Sequence, residues 1–185
     1  MKIKRLRSLS IATALVFSTA TLTGCTNPLE NLVGAVASQF GGTEVMFAQM
    51  MIQHHEQAIE MGKLAASHAA SPEVKALAAD IVAEQAPEIT QMKSWLTEEG
   101  SPLEAVHSMA MDGMLSSAQM TALSAATGEA FDKLFLNGMI AHHKGAITMA
   151  KLVVNSSNAE AAALAKTMID SQTKQIELME SLLAK

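Results

Sequence analysis

The chain of 185 residues contains one cysteine, one tryptophan, five phenylalanines and no tyrosine. A single cysteine excludes an intramolecular disulfide and any metal cluster held by several thiolates. A bound metal would therefore have to be held by His, Met, Asp or Glu. The 14 methionines outnumber the aromatic residues, so methionine fills part of the core that aromatics would otherwise fill. Composition alone does not tell a methionine that packs in the core from one that ligates a metal, but the position of the methionine in the sequence does.

The first 24 residues have the parts of a secretory signal peptide. Residues 9–22 are mostly apolar and uncharged, and Leu22-Thr23-Gly24-Cys25 closes the segment. The preceding basic residues are Lys2, Lys4, Arg5 and Arg7. Such a segment is too short and wrongly flanked for an ordinary membrane-spanning helix. Leu-Thr-Gly-Cys resembles the bacterial lipobox, in which the cysteine is lipidated. We expect a lipoprotein signal peptide over 1–24, with lipidation of Cys25 and export to the periplasm or cell surface; a plain signal peptide or an uncleaved anchor is the alternative.

Charge narrows the choice of partners. The leader holds four of the 13 basic residues and none of the 18 acidic ones, so the remaining chain is strongly acidic. An acidic surface argues against nucleic acid and gives no electrostatic attraction to anionic lipid. The expected partners are a metal ion, the membrane through the lipid, and a protein that handles the same metal. We expect a tether over 25–43 and one domain over 44–185.

Apolar residues recur at helical spacing from Glu44 onward. Ser71-Pro72 is typical of a helix start, and Gly100 of a helix end. Pro87 lies inside that second helix and predicts a kink. Ser101 to Glu104 has the form of a capping box and predicts a short helix.

The second half repeats this organisation after a less regular middle segment. We expect a loop over 107–114 and a short helix over 117–126. The long helical pattern returns at Phe131. Ser157 and Glu160 form another possible capping box, which would begin a last helix ending near Leu183.

An internal repeat defines the fold. Residues 51–64 match residues 139–152 at an offset of 88, with nine identities in 14 positions. The following helices correspond at an offset of 87, for example Gln85 with Gln172 and Ile89 with Ile176. Two helical hairpins that each carry an apolar face predict an all-α four-helix bundle of ferritin-like type.

The repeat carries the residues that point to metal chemistry. Met51, His54 and Met61 lie along one helical stripe, with His55 one step round the helix. Imidazole suits copper, zinc and nickel, and a thioether adds affinity chiefly for Cu(I). This combination favours copper, as Cu(I), Cu(II) or both, over other soft or borderline metals. The predicted metal ligands are His54, His55, His142, His143, Met51, Met61, Met139 and Met149.

A single His-His pair is more often surface or core than a metal site, and methionine at helical spacing is more often packing. The two copies change that balance. Other polar positions differ between the copies while the Met and His positions agree; the differing pairs are Gln53/Ala141, Glu56/Lys144 and Glu60/Thr148. Four imidazoles on core-facing stripes are also costly to bury unless they are paired or ligated. Metal binding is therefore the favoured interpretation.

A further group of possible ligands is less regular. Met50 lies four residues before His54, but its counterpart in the second half is Gly138. The middle segment adds a spaced His/Met run of a kind that captures Cu(I), although a Met-rich loop could equally be a hydrophobic lid. Its members are His107, Met109, Met111 and Met114.

Three motifs follow one another along the chain: Met51-Ile52 with His54-His55, then Gly113-Met114-Leu115-Ser116, then the residues from Phe131 to Ala150. Together they resemble the domain-of-unknown-function-305 family. The resemblance covers roughly residues 44–184. It implies a ferritin-like four-helix arrangement, and exported members of the family include copper-binding proteins. It implies a ligand role for the four histidines with the four methionines beside them, and no general catalytic activity.

The leading hypothesis is a non-enzymatic, lipid-anchored copper-binding protein for sequestration, tolerance or transfer. A copper- or iron-dependent oxidase using the same histidines is a weaker alternative, because no carboxylate, Tyr or Cys lies beside them at helical spacing. A purely structural or interaction module is the third. We expect affinity to fall as the pH drops through the ordinary imidazole range, because histidine ligates when neutral.

Overall fold

Five helices make up the part of the chain that the computed structural model describes, residues 40–104 and 111–185. They are α1 (Gly42–His68), α2 (Pro72–Glu98), α3 (Ser117–Ala125), α4 (Gly128–Ala150) and α5 (Ala159–Leu183). No β-strand occurs over these ranges, and a single isolated bridge joins Ala69 to Gly128. The all-α prediction is confirmed.

The start and end of α2 follow the predicted signals. The Ser71 side chain accepts a hydrogen bond from the backbone N–H of Val74, and Pro72 occupies the first helical position. Such a cap contributes about 1 kcal/mol. Gly100 follows the helix with a positive φ of 63°, a conformation that glycine adopts without strain. Pro87 lies inside α2, which continues on both sides of it.

Two predicted helix starts are wrong. Residues 101–104 are not helical; the side chain of Gln49 donates to the Pro102 carbonyl at 2.8 Å, which ties this segment to α1. The cap of α5 is Asn158 rather than Ser157, because the Asn158 side chain accepts from the Ala161 N–H. The short helix α3 is confirmed, with a full capping box between Ser116 and Gln119.

The four long helices pack into a bundle whose apolar core is divided in two. The first cluster joins the start of α1 and the end of α2 to the end of α4 and the start of α5, so α1 runs antiparallel to both α2 and α4. The second cluster joins the opposite ends of the same helices. At the boundary between the clusters, each of the four long helices carries buried polar residues. We call this boundary the histidine layer; its members are His54, His55, Gln85, His142, His143, Gln172 and Gln175.

Among the described helices, none is long and apolar enough to cross a membrane. The predicted signal peptide over 1–24 and most of the tether over 25–43 lie outside the described residues. Those boundaries stay predictions.

Candidate metal centre

All four histidines of the repeat lie in the layer, and each side chain is 0% exposed. His54 and His55 come from α1, and His142 and His143 from α4. They are buried because the helical period places both positions of each pair toward the interior, one toward the facing long helix and one toward the hairpin partner. The helices thus bring together the two copies of the motif.

The rings of His54 and His142 contact each other between the two halves. Their ring centroids are 3.7 Å apart and the rings are tilted by 41°. The centroids of His142 and His143 are 6.4 Å apart. Over residues 40–104 and 111–185, no three His, Cys, Asp or Glu side chains are grouped so that they could hold an ion by themselves. A metal here would need the thioethers, or a small movement of the rings, to complete its coordination.

Three of the histidines point the same ring nitrogen at an acceptor. The Nε2 of His54 lies 3.3 Å from the Asp112 carbonyl oxygen, and the Nε2 of His55 lies 2.8 Å from Glu88 Oε2. The Nε2 of His143 lies 2.7 Å from Gln175 Oε1. Because these oxygens accept, each Nε2 carries the hydrogen, and in the neutral form of the ring Nδ1 keeps its lone pair.

The Nδ1 atoms of all four histidines are buried and have no hydrogen-bond partner among the described residues, and the Nε2 of His142 has none either. A buried nitrogen without a partner costs about 1–3 kcal/mol. Histidine ligands commonly donate their second ring N–H to a carboxylate or carbonyl, which orients the ring and fixes its tautomer. The residues present therefore fit a metal bound through Nδ1.

A longer hydrogen-bonded chain supports His143. The Gln175 side-chain nitrogen donates to Glu84 Oε2 at 2.8 Å. This bond fixes the orientation of the Gln175 amide, so its oxygen faces His143. Burial, together with the neighbouring Glu88 carboxylate, raises the pKa of Glu84.

Burial favours the neutral form of three of the imidazoles, those of His54, His142 and His143. It lowers the pKa of His54 to about 3, with a further contribution from His55. It lowers the pKa of His143 to about 4, against a partial opposing effect of the bond to Gln175. Burial and the nearby His54 lower the pKa of His142 well below its usual value. For a site on these three histidines, the lowered pKa values move the expected loss of affinity to a pH below the ordinary imidazole range, and that pH dependence stays a prediction.

The methionines flank the layer on both sides and are buried. Met51 and Met149 belong to the first cluster, and Met61 and Met139 to the second. Met51 and Met139 lie three residues before His54 and His142, a rise of about 4.5 Å along the helix. Met61 and Met149 lie seven residues beyond those histidines, about two turns away.

A loop over residues 111–115 covers the layer between α1 and α4. The Gln57 side chain donates to the Leu115 carbonyl at 2.9 Å and accepts from the Leu115 N–H at 2.7 Å. Gly145 is the counterpart of Gln57 at the offset of 88. A Cβ at Gly145 would overlap the carbonyl oxygen of Asp112, so only glycine leaves room for the loop.

The secondary candidates are dispersed. Met50 and Met111 are partly buried and pack against the first cluster. Met114 lines a cavity of about 300 Å³ with Leu115 and Gly138, outside the layer. His107, Met109 and Cys25 lie outside the described residues, so their predicted roles stay predictions.

Sequence reasoning missed the acceptors that orient the histidines. It found no carboxylate beside them, because Glu88 reaches His55 from the next helix rather than along α1. The offset of 87 that pairs α2 with α5 also pairs Glu88 with Gln175. That equivalence could have indicated that Glu88 and Gln175 have the same role beside the histidines.

Comparison with known proteins places the chain in a family. The sequence profile of DUF305, a domain of unknown function, matches residues 44–183. The chain belongs to the DUF305 family. A comparison with curated protein sequences finds no match.

Solved DUF305 structures share this fold. A DUF305 protein of Streptomyces coelicolor, assigned as secreted, is 34% identical with a TM-score of 0.73, over 77% of this chain and 91% of its own. A DUF305 fragment from Deinococcus radiodurans is 31% identical with a TM-score of 0.72, over 78% and 97%. CopM in its Cu(I)-bound form is 34% identical with a TM-score of 0.63, over 75% and 94%. CopM structures also exist in Cu(II)-bound, Ag-bound and apo forms.

Proposed function

We propose that this DUF305 protein is an exported, lipid-anchored copper-binding protein that sequesters copper or hands it to a partner. The proposed ligands are nitrogens of the four layer histidines, with the Met51 and Met139 thioethers nearest to them. Met61 and Met149 complete the set from the outer turns. Lipidation of Cys25 would hold the domain at the membrane, facing the periplasm or cell exterior.

The observation that carries the proposal is the set of unpartnered Nδ1 atoms. Four imidazoles are buried at one level of the bundle, and three are held by acceptors at Nε2. A packing role alone gives no reason for buried nitrogens without partners, since apolar residues at these positions would avoid the cost. A metal ion would satisfy these lone pairs and neutral thioethers together.

The similarity to CopM supports the choice of metal. CopM is known in Cu(I)-, Cu(II)- and Ag-bound forms. Copper and silver as monovalent ions prefer nitrogen and sulfur donors. The donors of this layer are of those two kinds, with Glu88 engaged by His55 rather than free.

The test is the affinity of the purified protein for Cu(I), measured by competition with a chromophoric chelator. The comparison variant carries His54→Gln, His55→Gln, His142→Gln and His143→Gln. We expect tight binding in the wild-type protein and its loss in the variant. Unchanged affinity would place binding elsewhere, for example at the predicted run of His107, Met109, Met111 and Met114. Aerobic turnover of Cu(I) or Fe(II) by the wild-type protein would instead favour an oxidase.

A matched control keeps the test specific. His68→Gln changes a histidine outside the layer, whose ring nitrogens contact the Leu64 and Ser124 carbonyls. Its affinity is expected to equal that of the wild type. If neither the wild type nor any variant binds metal, and metal leaves thermal unfolding unchanged, the layer is a structural feature only.

A further inference from the structure

Two buried glutamines in the layer have no hydrogen-bond partner within the part of the chain that the structure describes. Gln85 on α2 and Gln172 on α5 are equivalent at the offset of 87, and each is 2% exposed. Within the described ranges, neither the amide oxygen nor the amide nitrogen of either residue has a hydrogen-bond partner. The repeat therefore places an unpartnered amide at the same position in both hairpins.

The register of the helices places these amides at the level of the histidines. On α2, Gln85 separates Ile81 of the second cluster from Ile89 of the first. On α5, Gln172 separates Met168 of the first cluster from Ile176 of the second. The histidines occupy the same boundary on α1 and α4. All four long helices thus contribute polar side chains to one layer.

The cost of this arrangement is high for a purely structural feature. Each buried amide without partners has lost its hydrogen bonds to water with none in return, and an apolar residue at a core position would avoid that cost. Gln175 and Gln49, the other buried glutamines of the described chain, both make hydrogen bonds. Among the described residues, the buried side chains that carry a nitrogen or oxygen atom without a hydrogen-bond partner are therefore these two glutamines and the four histidines at the same level of the bundle.

The chemistry of an amide oxygen differs from that of a thioether. Oxygen donors suit harder ions, thioethers favour Cu(I), and a glutamine oxygen serves as a weak axial ligand in some copper sites. We propose that Gln85 and Gln172 are specificity-determining residues that supply oxygen donors to Cu(II). The same layer then takes Cu(I) through imidazole and thioether, and Cu(II) through imidazole and amide. This inference rests on the proposed copper-binding function.

The test replaces each amide by a thioether of similar length. The full protein carrying Gln85→Met and Gln172→Met is compared with wild type for affinity toward Cu(II) and toward Ag(I), a monovalent soft ion that does not change oxidation state. We expect Cu(II) affinity to fall by at least about tenfold while Ag(I) affinity is unchanged or rises. A selective tenfold loss raises the Cu(II)/Cu(I) potential by about 59 mV.

A third protein, Gln49→Met, serves as the control for the double variant. Gln49→Met replaces a buried amide that is bonded to the Pro102 carbonyl near one end of α1, and should leave the ratio of the two affinities unchanged. Equal losses for both ions, or unchanged Cu(II) affinity, in the double variant would overturn the inference. A wild-type protein that binds neither ion would overturn the proposed function itself, so the two failures are distinguishable.

A measurement on the wild-type protein does not depend on the variant folding. Protein labelled with ¹³C at the glutamine side-chain carbonyl is loaded with Cu(II) and studied by pulsed electron paramagnetic resonance. We expect a ¹³C hyperfine coupling of a directly coordinated amide oxygen. Its absence, with imidazole nitrogen couplings present, would show Cu(II) bound by histidine without the glutamines and would overturn the inference.

Discussion

Glu88 and Gln175 occupy equivalent positions in the two hairpins, and each accepts a hydrogen bond from the Nε2 of the equivalent histidine. The distances are 2.8 Å from His55 to Glu88 and 2.7 Å from His143 to Gln175. One acceptor is a carboxylate and the other an amide, but both present an oxygen to the ring. The common requirement is an acceptor that leaves Nδ1 free.

This equivalence predicts the effect of substitutions at Glu88. Glu88→Ala removes the acceptor of the His55 ring and should weaken Cu(I) binding by about 10–100-fold, as for other groups that orient metal-bound histidines. Glu88→Gln keeps an oxygen acceptor, as Gln175 does in the other hairpin, and should restore most of the affinity. The measurement is competition with a Cu(I) chelator.

The control is Glu56→Ala on α1, which removes an exposed carboxylate paired with Lys93 of α2. It should bind Cu(I) as the wild type does. Equal affinities for Glu88→Ala and Glu88→Gln would contradict a role of the acceptor oxygen in orienting His55.

The loop over residues 111–115 gives a second prediction. Gly145→Ala would force the added methyl group into the Asp112 carbonyl, displacing the loop and its contact with His54. We expect the free energy of unfolding to fall by about 1–3 kcal/mol, the usual cost of overpacking. Urea unfolding of the metal-free protein measures it.

Gly42→Ala is the matched control, because no atom of the described residues lies within 4 Å of a Cβ added there. It should be neutral or stabilising, as alanine is the better helix former. A Gly145→Ala protein as stable as this control would show that the loop does not require the glycine.

The buried histidines predict how the stability of the metal-free protein depends on pH. In the unfolded chain they titrate near pH 6.5, whereas burial lowers the pKa to about 4 for His143 and about 3 for His54. Below pH 6.5 the unfolded state binds more protons, so stability is lost as the pH falls. Each histidine that stays neutral contributes a slope of up to about 1.4 kcal/mol per pH unit.

Urea unfolding at pH 7.5, 6 and 5 measures this slope. At these pH values most carboxylates stay ionised, so the histidines dominate the change. The His54→Gln/His142→Gln variant should lose part of the slope, and His68→Gln should retain it. A wild-type stability that is constant from pH 7.5 to 5 would contradict burial of neutral imidazoles in solution.

The flanking methionines are expected to bind metal rather than only to pack. Met51→Leu with Met139→Leu should weaken Ag(I) and Cu(I) binding by about tenfold or more, because leucine offers no sulfur donor. The change in unfolding free energy should stay below about 1.5 kcal/mol, since this exchange nearly conserves volume.

Met92→Leu with Met179→Leu is the matched control, since both residues are 0% exposed and lie seven positions beyond the unpartnered glutamines. Its metal affinity should equal that of the wild type. If both double variants bind equally well, the methionines near the histidines serve packing alone.

The sequence predicted the bundle and the burial of the histidines because both depend on short-range periodicity and on an internal repeat with nine identities in 14 positions. It did not predict that Glu88 and Gln175 orient the rings, because those contacts join different helices of a hairpin. Asn158 replaced Ser157 as a helix cap because neighbouring polar residues compete for the same backbone groups. The sequence predicted a loop over 107–114 but not its path over the histidine layer, since that path depends on the space that Gly145 leaves beside α4.

The most direct test is X-ray absorption spectroscopy of the Cu(I)-loaded protein. We predict a mixed first coordination sphere, with imidazole nitrogen identified by its outer-ring scattering and sulfur contributed by methionine. Loss of the imidazole contribution in the variant lacking the four layer histidines would locate the copper. A spectrum with sulfur ligands only, or a protein that takes up no copper, would contradict a copper centre in the histidine layer.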